Sequence, residues 1–382
     1  MKTAVTRYIL RRSETQSELA KPVGDGPRVS RLQPSEIRVS SRPTPTIRDV
    51  AKAAGVSIAT VSRVLNDAAR VTEDTRDRVR TVVDKMGYAP HGGTRSVAVR
   101  RTRTLGVLLP ELYGEFFSEF IRGIDETAKK HGFLTLVTSA RREAHEIAAA
   151  VSNMRGRVDG FLAVSPSVAA RATLAEVAER YPTVLVGAGS DVGAFAALSV
   201  NNFQGAAAMM KHLLSLGHRR IVFLKGPAGQ VDAGERLHAV REVANWYDDC
   251  ELIELAGDFR MDTAYDAVTQ LLQSGVRPDA IFAANDTMAI GAISAVRDAD
   301  LRVPDDIAVT GFDDTPMTRY LSPPLTTVRM PIYALGERAA LRLIETLRGG
   351  GTAVPANHEI LPAQLIIRSS CGAARKMMEA VG

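Results

Sequence analysis

Cysteine is nearly absent from this 382-residue chain. Cys250 and Cys371 stand alone, with no pairing pattern and no CxxC spacing, which excludes a disulfide framework and a cysteine zinc site. Long apolar runs are missing too: stretches such as Leu105 to Pro110 and Ile281 to Ala284 fall far short of the ~20 residues that a bilayer crossing takes. No secretory core follows the basic start, because Tyr8, Ile9 and Leu10 run directly into Arg11 and Arg12, so a cytoplasmic location is expected. Catalytic signatures are lacking. There is no G-x-S-x-G, no Walker loop and no HExxH, and Gly187 with Gly189 lacks the third glycine of a dinucleotide site. The histidines are scattered, with none at metal-ligand spacing. An enzyme, a metal site and a cofactor are therefore not expected.

What the chain does have is apolar content and polarity of charge. Hydrophobic residues make up 45%, enough for two or three domains with real cores. The net charge of +5 conceals an asymmetry: residues 1 to 104 carry 21 Lys and Arg against 10 Asp and Glu, while the remainder is acidic by six charges. An N-terminal part that meets phosphates and a C-terminal part that does not would have this distribution.

Residues 1–45 scatter Pro22, Pro27, Pro34, Pro43 and Pro45 among Ser and Arg without apolar period, which predicts a basic arm with little fixed structure. From Thr46 the pattern changes to three short helices, over residues 46–90. Thr46 and Asp49 have capping-box spacing, Gly55 ends the first helix, and Ser57 can cap a second through Asn66. Thr72 can cap a third, with Val79, Val82, Val83 and Met86 as its apolar stripe. Helix, glycine turn, helix and supporting helix make a helix-turn-helix. Val61, Val64 and Leu65 would face its core, leaving Ser57, Ile58, Ala59, Thr60, Ser62, Arg63 and Asn66 outward. Hydroxyls at Ser57, Thr60 and Ser62 and the Asn66 amide suit phosphate contacts, whereas Ile58, Ala59 and Arg63 suit base edges. The bland alternative is a structural three-helix bundle that binds nothing.

Residues 91–104, HGGTRSVAVRRTRT, hold four Arg and no acid and would be drawn to DNA. Beyond them LGVLLP, FLTLVTS, DGFLAVS, PTVLVGA, RRIVFLKG, DAIFAAND and DIAVTGFDD alternate with amphipathic helices. That alternation predicts an α/β fold with parallel sheets covered on both faces, in two subdomains.

VSIATVSRVLN followed by VTEDTRDRVRTVVDKMGYAP resembles the DNA-binding headpiece of the lactose/galactose repressor family. SVNNFQGAAAMMKHLLSLGHRRIVFLKGP, PDAIFAANDTMAIGAISAVRDADLRVPDDIAVTGFDD and LSPPLTTVRMP extend the likeness to the family's two-lobed, periplasmic-binding-protein-like effector domain. The resemblance implies a homodimeric transcriptional regulator, more often a repressor, that reads palindromic double-stranded operator DNA. It implies lobes over roughly 105–200 plus 330–359 and 201–329 plus 360–372, with 373–382 a tail that lacks coiled-coil heptads. Ile58 and Ala59 match the operator-choosing positions. Residues 91–104 match a hinge that folds on DNA and inserts a side chain into the minor groove, with Arg95 and Val97 as contacts. Gly92, Gly93 and Val97 depart from the family's firmer hinge, so this one is expected to fold less readily.

Matched position by position, Phe117, Arg236, Phe259, Asn285, Asp313 and Ile332 would bind a small effector, a sugar or related metabolite. Arg, Asn and Asp form a polar fork, and the Phe rings offer faces for stacking. Against this stand ordinary roles: core packing for the Phe residues, strand-end caps for Asn285 and Asp313, and a surface ion pair for Arg236. Asp314 reads as a turn residue facing solvent. Two rival functions remain open, a solute receptor with no DNA role and a DNA-binding regulator controlled by a protein corepressor.

Overall fold

The computed structural model describes residues 45–65, 71–86, 101–140, 143–164, 170–189, 192–351 and 353–373. The chain divides into two compact units at Ser96 and Val97. In the first, α1 (Ile47–Ala54), α2 (Ile58–Leu65) and α3 (Glu73–Met86) enclose a core of Val50, Ala51, Ala54, Val61, Val64 and Val79. Local chemistry sets each boundary. The Thr46–Asp49 capping box is formed in both directions, and its bonds hold the Asp49 carboxyl below the usual range. Gly55 ends α1 in the left-handed region at φ +64, a conformation that costs glycine little. Ser57 Oγ accepts the Thr60 N–H at 3.1 Å and so starts α2.

The second unit runs β1 (Thr104–Leu109), α4 (Glu115–Lys130), β2 (Leu134–Ser139), α5 (Ala144–Met154), β3 (Gly160–Val164), α6 (Ala170–Ala178), β4 (Thr183–Val186), β5 (Ala196–Val200), α7 (Asn202–Ser215), β6 (Arg220–Leu224), α8 (Val231–Ala244), β7 (Glu251–Leu255), α9 (Met261–Gln273), β8 (Ala280–Ala283), α10 (Asp286–Asp298), β9 (Ala308–Thr310), β10 (Thr327–Arg329), α11 (Ile332–Arg348), β11 (His358–Leu361) and β12 (Gln364–Ile366). A six-stranded parallel sheet has the order β11-β5-β4-β3-β1-β2, and a four-stranded parallel sheet the order β7-β6-β8-β9. Central runs became strands buried on both faces, as parallel sheets require, while FLTLVTS became the edge strand β2, which is only half-buried. β10 and β12 pair antiparallel beside the second sheet.

Each sheet anchors one lobe, and the chain crosses between them three times: after β5, before α11 and after β11. The third crossing corrects the boundary expected at 359 and 360, since Ile360 and Leu361 still pair with Ser199 and Val200 of the first sheet. The expected linker is also shorter at its end. Thr102 and Arg103 donate backbone N–H bonds of 2.7 Å to the two carboxylate oxygens of Asp159, which ties them to the first lobe ahead of β1.

Candidate functional site

Between the lobes lies a cavity lined by residues of both. The first lobe contributes Glu111, Tyr113, Gly114, Phe116 and Phe117; the second adds Gln230, Asp232, Arg236, Phe259, Asn285, Thr287 and Asp313. Two contacts cross the gap nearby. Glu115 Oε2 accepts the Met317 N–H at 3.2 Å, and the Arg260 guanidinium lies 4.6 Å from the centre of the Tyr113 ring.

Arg236 sits on the inner face of α8 and is only 4% exposed. Its Nε donates to Asn202 Oδ1 at 2.9 Å, its Nη1 to the Ala284 carbonyl, and its plane lies 3.8 Å from the Phe312 ring centre. Asn202, wholly buried, passes the connection on: its Nδ2 donates to Asp232 Oδ1 at 2.9 Å and to Glu235 Oε2 at 3.1 Å. The guanidinium is thereby fixed in a pose that needs no ligand. Opposite it, Asp313 Oδ1 stands 3.6 Å from Arg236 Nη1 and has no hydrogen-bond partner, although the residue is buried.

The backbone forces that position. Asp313 has φ +118, donates its N–H to the Val328 carbonyl at 2.8 Å and accepts the Met330 N–H at 3.1 Å, so β10 grips it from both sides. Burial pushes its carboxyl up to about 7; Arg236 opposes the shift and Asp232 adds to it. Near neutral pH the group can therefore offer or accept a proton. Behind it, burial and then Asp313 itself push the Asp286 carboxyl well up, while Thr327 Oγ1 at 2.6 Å and the Thr315 N–H at 2.8 Å donate to it.

Phe259 adopts φ +70, and its ring fits against Gly226, where a Cβ would come within 2.6 Å of it. Asn285 holds that turn by donating Nδ2 to the Phe259 carbonyl at 3.2 Å, and it caps α10 by accepting the Met288 N–H at 2.9 Å. The capping role and the place at the cavity coexist. Phe117 packs edge-on against Phe116 with ring centres 5.3 Å apart.

Five of the six residues matched to an effector site thus line one cavity: Phe117, Arg236, Phe259, Asn285 and Asp313. Ile332 does not. It is buried at the start of α11 and borders a separate groove with Glu119, Arg319 and Tyr320, because the crossing before α11 runs outside the cavity. Asp314 also departs from expectation: its side chain is 1% exposed and accepts from Arg329 Nε at 2.6 Å and from Arg368 Nη2. Glu111, Tyr113, Gln230, Asp232 and Thr287 were not anticipated, nor was Asn202, although it lies within the family-like SVNNFQG segment.

In the first unit Ile58 is 44% exposed, and Ser57, Ala59 and Arg63 are exposed with it, while Thr60 and Ser62 are half-buried. Ser57 Oγ and Thr60 Oγ1 lie 2.9 Å apart, so one hydroxyl donates to the other and the second O–H remains to donate to an acceptor such as a phosphate oxygen. Asn66, Arg95 and Val97, like Gly92 and Gly93, the N-terminal arm and residues 374–382 of the tail, lie outside the described residues. Among the described residues no helix is long and apolar enough to cross a membrane, and no group of His, Cys, Asp and Glu could hold a metal ion.

Comparison with known proteins accounts for both units. Residues 46–91 match the family model described as bacterial regulatory proteins, lacI family, and residues 210–371 match the periplasmic binding protein-like domain. The match at the helix-turn-helix stands against a receptor with no DNA role. The chain is 34% identical to the HTH-type transcriptional repressor PurR of Vibrio atlanticus over 312 residues, covering 79% of this chain and 92% of that one. It is 32% identical to the ribose operon repressor of Escherichia coli K12, covering 79% and 93%. A crystal structure of the Lac repressor dimer bound to operator and an anti-inducer aligns with a TM-score of 0.74 at 30% identity, over 86% of this chain and 99% of that chain. With both units matched and such relatives covered almost end to end, this chain belongs to the LacI family of bacterial regulatory proteins.

Proposed function

We propose that this chain is a homodimeric transcriptional repressor that binds palindromic operator DNA through α2 and is controlled by a small metabolite held between its lobes. The observation that carries the reading is the pairing, in one chain, of an exposed face of α2 with a cavity in which a buried carboxylate oxygen of Asp313 has an ion-pair neighbour but no hydrogen bond. Ile58, Ala59 and Arg63 read base edges and Ser57, Thr60 and Ser62 touch phosphates in this reading, which the exposure of Ser57, Ile58, Ala59 and Arg63 supports. Asn66, Arg95 and Val97 are assigned to DNA by resemblance alone. Phe117, Arg236, Phe259, Asn285 and Asp313 form the effector site.

One recognition helix spans only a few base pairs, so a two-fold dimer reading half-sites about one helical turn apart is the economical arrangement. A chromosomal target puts the working protein in the cytoplasm. The test maps genomic sites bound by the protein and titrates the recovered fragments with it. The expected result is a shared palindrome bound at least ~1000-fold more tightly than random DNA of equal length; equal binding of both would overturn the proposal. Metabolites of the adjacent pathway are then screened for release of the complex.

A further inference from the structure

The groove that Ile332 borders is a second opening with walls from both lobes, separate from the cavity. Glu119 of α4 and Tyr333 of α11 stand on the first-lobe side; Asp314, Arg319, Tyr320 and Arg329 face them from the second. Three guanidiniums converge on the buried Asp314 carboxylate. Arg329 Nε donates to its Oδ2 at 2.6 Å, Arg368 Nη2 donates to its Oδ1, and Arg319 Nη2 lies 4.0 Å from Oδ2. Burial alone would raise that carboxyl, but the bonds from Arg368 and Arg329 outweigh it and hold the group below the usual range. One negative charge therefore answers three positive ones, a surplus of two. The other carboxylate of the lining, Glu119, is held by Arg122 through both Nε and Nη2.

The surplus is turned outward. Among the described residues Arg319, whose side chain is 59% exposed, has no hydrogen-bond partner, and Arg329 keeps both terminal Nη groups without one. Both guanidiniums are drawn to the same oxygen, Asp314 Oδ2, which brings them within reach of a single oxyanion. We propose that Arg319 and Arg329 form a binding site for a phosphorylated metabolite, and that its occupation adjusts operator affinity as a second control point besides the cavity. The control clause rests on the reading of this chain as a repressor. A phosphate monoester carries about −1.5 to −2 at neutral pH, which matches the surplus better than the single charge of a carboxylate does. Tyr320, 82% exposed, adds an aromatic face at the same rim. The path to the cavity is short. Arg329 lies between Val328 and Met330, whose backbone groups grip Asp313, so a shift of Arg329 reaches a cavity residue directly. A ligand that touches both walls of the groove also fixes the angle between the lobes.

Calorimetry on the intact chain with inorganic phosphate, ribose 5-phosphate and adenosine monophosphate, each ester beside its uncharged parent, tests the site. At least one phosphate compound is expected to bind, and an ester that does so should exceed its parent by at least ~100-fold. Arg319→Ala should weaken that binding at least ~10-fold, the worth of a hydrogen bond to a charged group. Because Arg319 makes no hydrogen bond within the described fold, this variant keeps its structure. Arg329→Lys, which retains the charge without the fork, should weaken binding as well. With the ligand bound, operator affinity should change at least ~5-fold. Failure of all three compounds to bind, binding that survives Arg319→Ala, or binding lost only in the cavity variant Arg236→Ala would overturn the proposal. Conversion of the dimer to monomers by Arg319→Ala, with no phosphate bound by the parent chain, would overturn it too and assign the groove to the subunit interface. Unchanged operator affinity with the site filled would overturn the control it exerts, whereas a chain that binds no operator at all would overturn instead the repressor reading.

Discussion

At the scale of single residues, Arg236 and Asp313 have unlike relations to the fold. Arg236 is fully engaged before any ligand arrives, whereas Asp313 is buried with one oxygen unmet. Replacing either by Ala is expected to abolish effector response and leave operator affinity within about twofold, because both lie in the second unit, remote in sequence from α2. Operator titration with and without effector checks this; a normal response in both variants would remove them from the site.

The protonation of Asp313 gives a second prediction. Burial holds its carboxyl near 7, with Arg236, Asp232 and Asp286 as the charged or titratable neighbours that bear on it. A hydroxyl donating to it favours the carboxylate, so binding releases a proton and affinity rises with pH. Below pH 7 the dissociation constant should worsen by up to about tenfold per unit and level off above pH 8. Calorimetry in buffers of different ionisation enthalpy would detect the released proton. A flat profile from pH 6 to 8 would show that the effector makes no bond that distinguishes the two forms.

At the scale of elements, α4 and α11 meet backbone to backbone. A Cβ on Gly123 would lie 2.2 Å from the Tyr333 carbonyl oxygen, and one on Gly336 would lie 2.3 Å from that of Phe120. Gly336→Ala must therefore separate the helices, at a cost of about 1–3 kcal/mol that urea denaturation would measure. Because α4 opens onto the cavity, effector affinity should fall as well.

The same scale shows what the sequence revealed. Strands built from Val, Leu, Ile and Phe, such as β1, β6 and β8, stood out as apolar runs between turn residues. β5, with the sequence AALSV, is just as buried but reads weakly because Ala and Ser carry little β-preference. β7, at a sheet edge, mixes Glu251 and Glu254 among its apolar residues and escaped notice. The helix-turn-helix was legible outright, since its caps and core spacing are local. The cavity was legible only through resemblance: its walls come from helix ends far apart in the chain, and no spacing announces that Glu111, Asp232 and Thr287 will share a space. Ile332 misled because a place near a crossing is not a place at the cavity.

At the scale of the whole chain, control requires that the state of the cleft alter operator affinity. A coupling of about 1–3 kcal/mol would change that affinity roughly 5- to 150-fold. Linkage makes the effect mutual: saturating operator must shift effector affinity by the same factor, in the direction fixed by whether the effector releases or recruits DNA. Calorimetry on the free protein and on the operator complex tests this equality, and unequal factors would reveal a further linked equilibrium.

The three crossings between lobes bear on how the protein is made. The first lobe takes its edge strand β11 from His358–Leu361, and the second is stitched by Ser370, whose Oγ donates to the Val309 carbonyl and accepts the Thr326 N–H. The first lobe cannot close until the ribosome has passed residue 361, nor the second until it has passed residue 370, whereas the helix-turn-helix, complete by Met86, can form hundreds of codons earlier. A message broken anywhere between those points yields a DNA reader with no means of listening, and the unfinished lobes expose the apolar edges by which cellular proteases recognise such products.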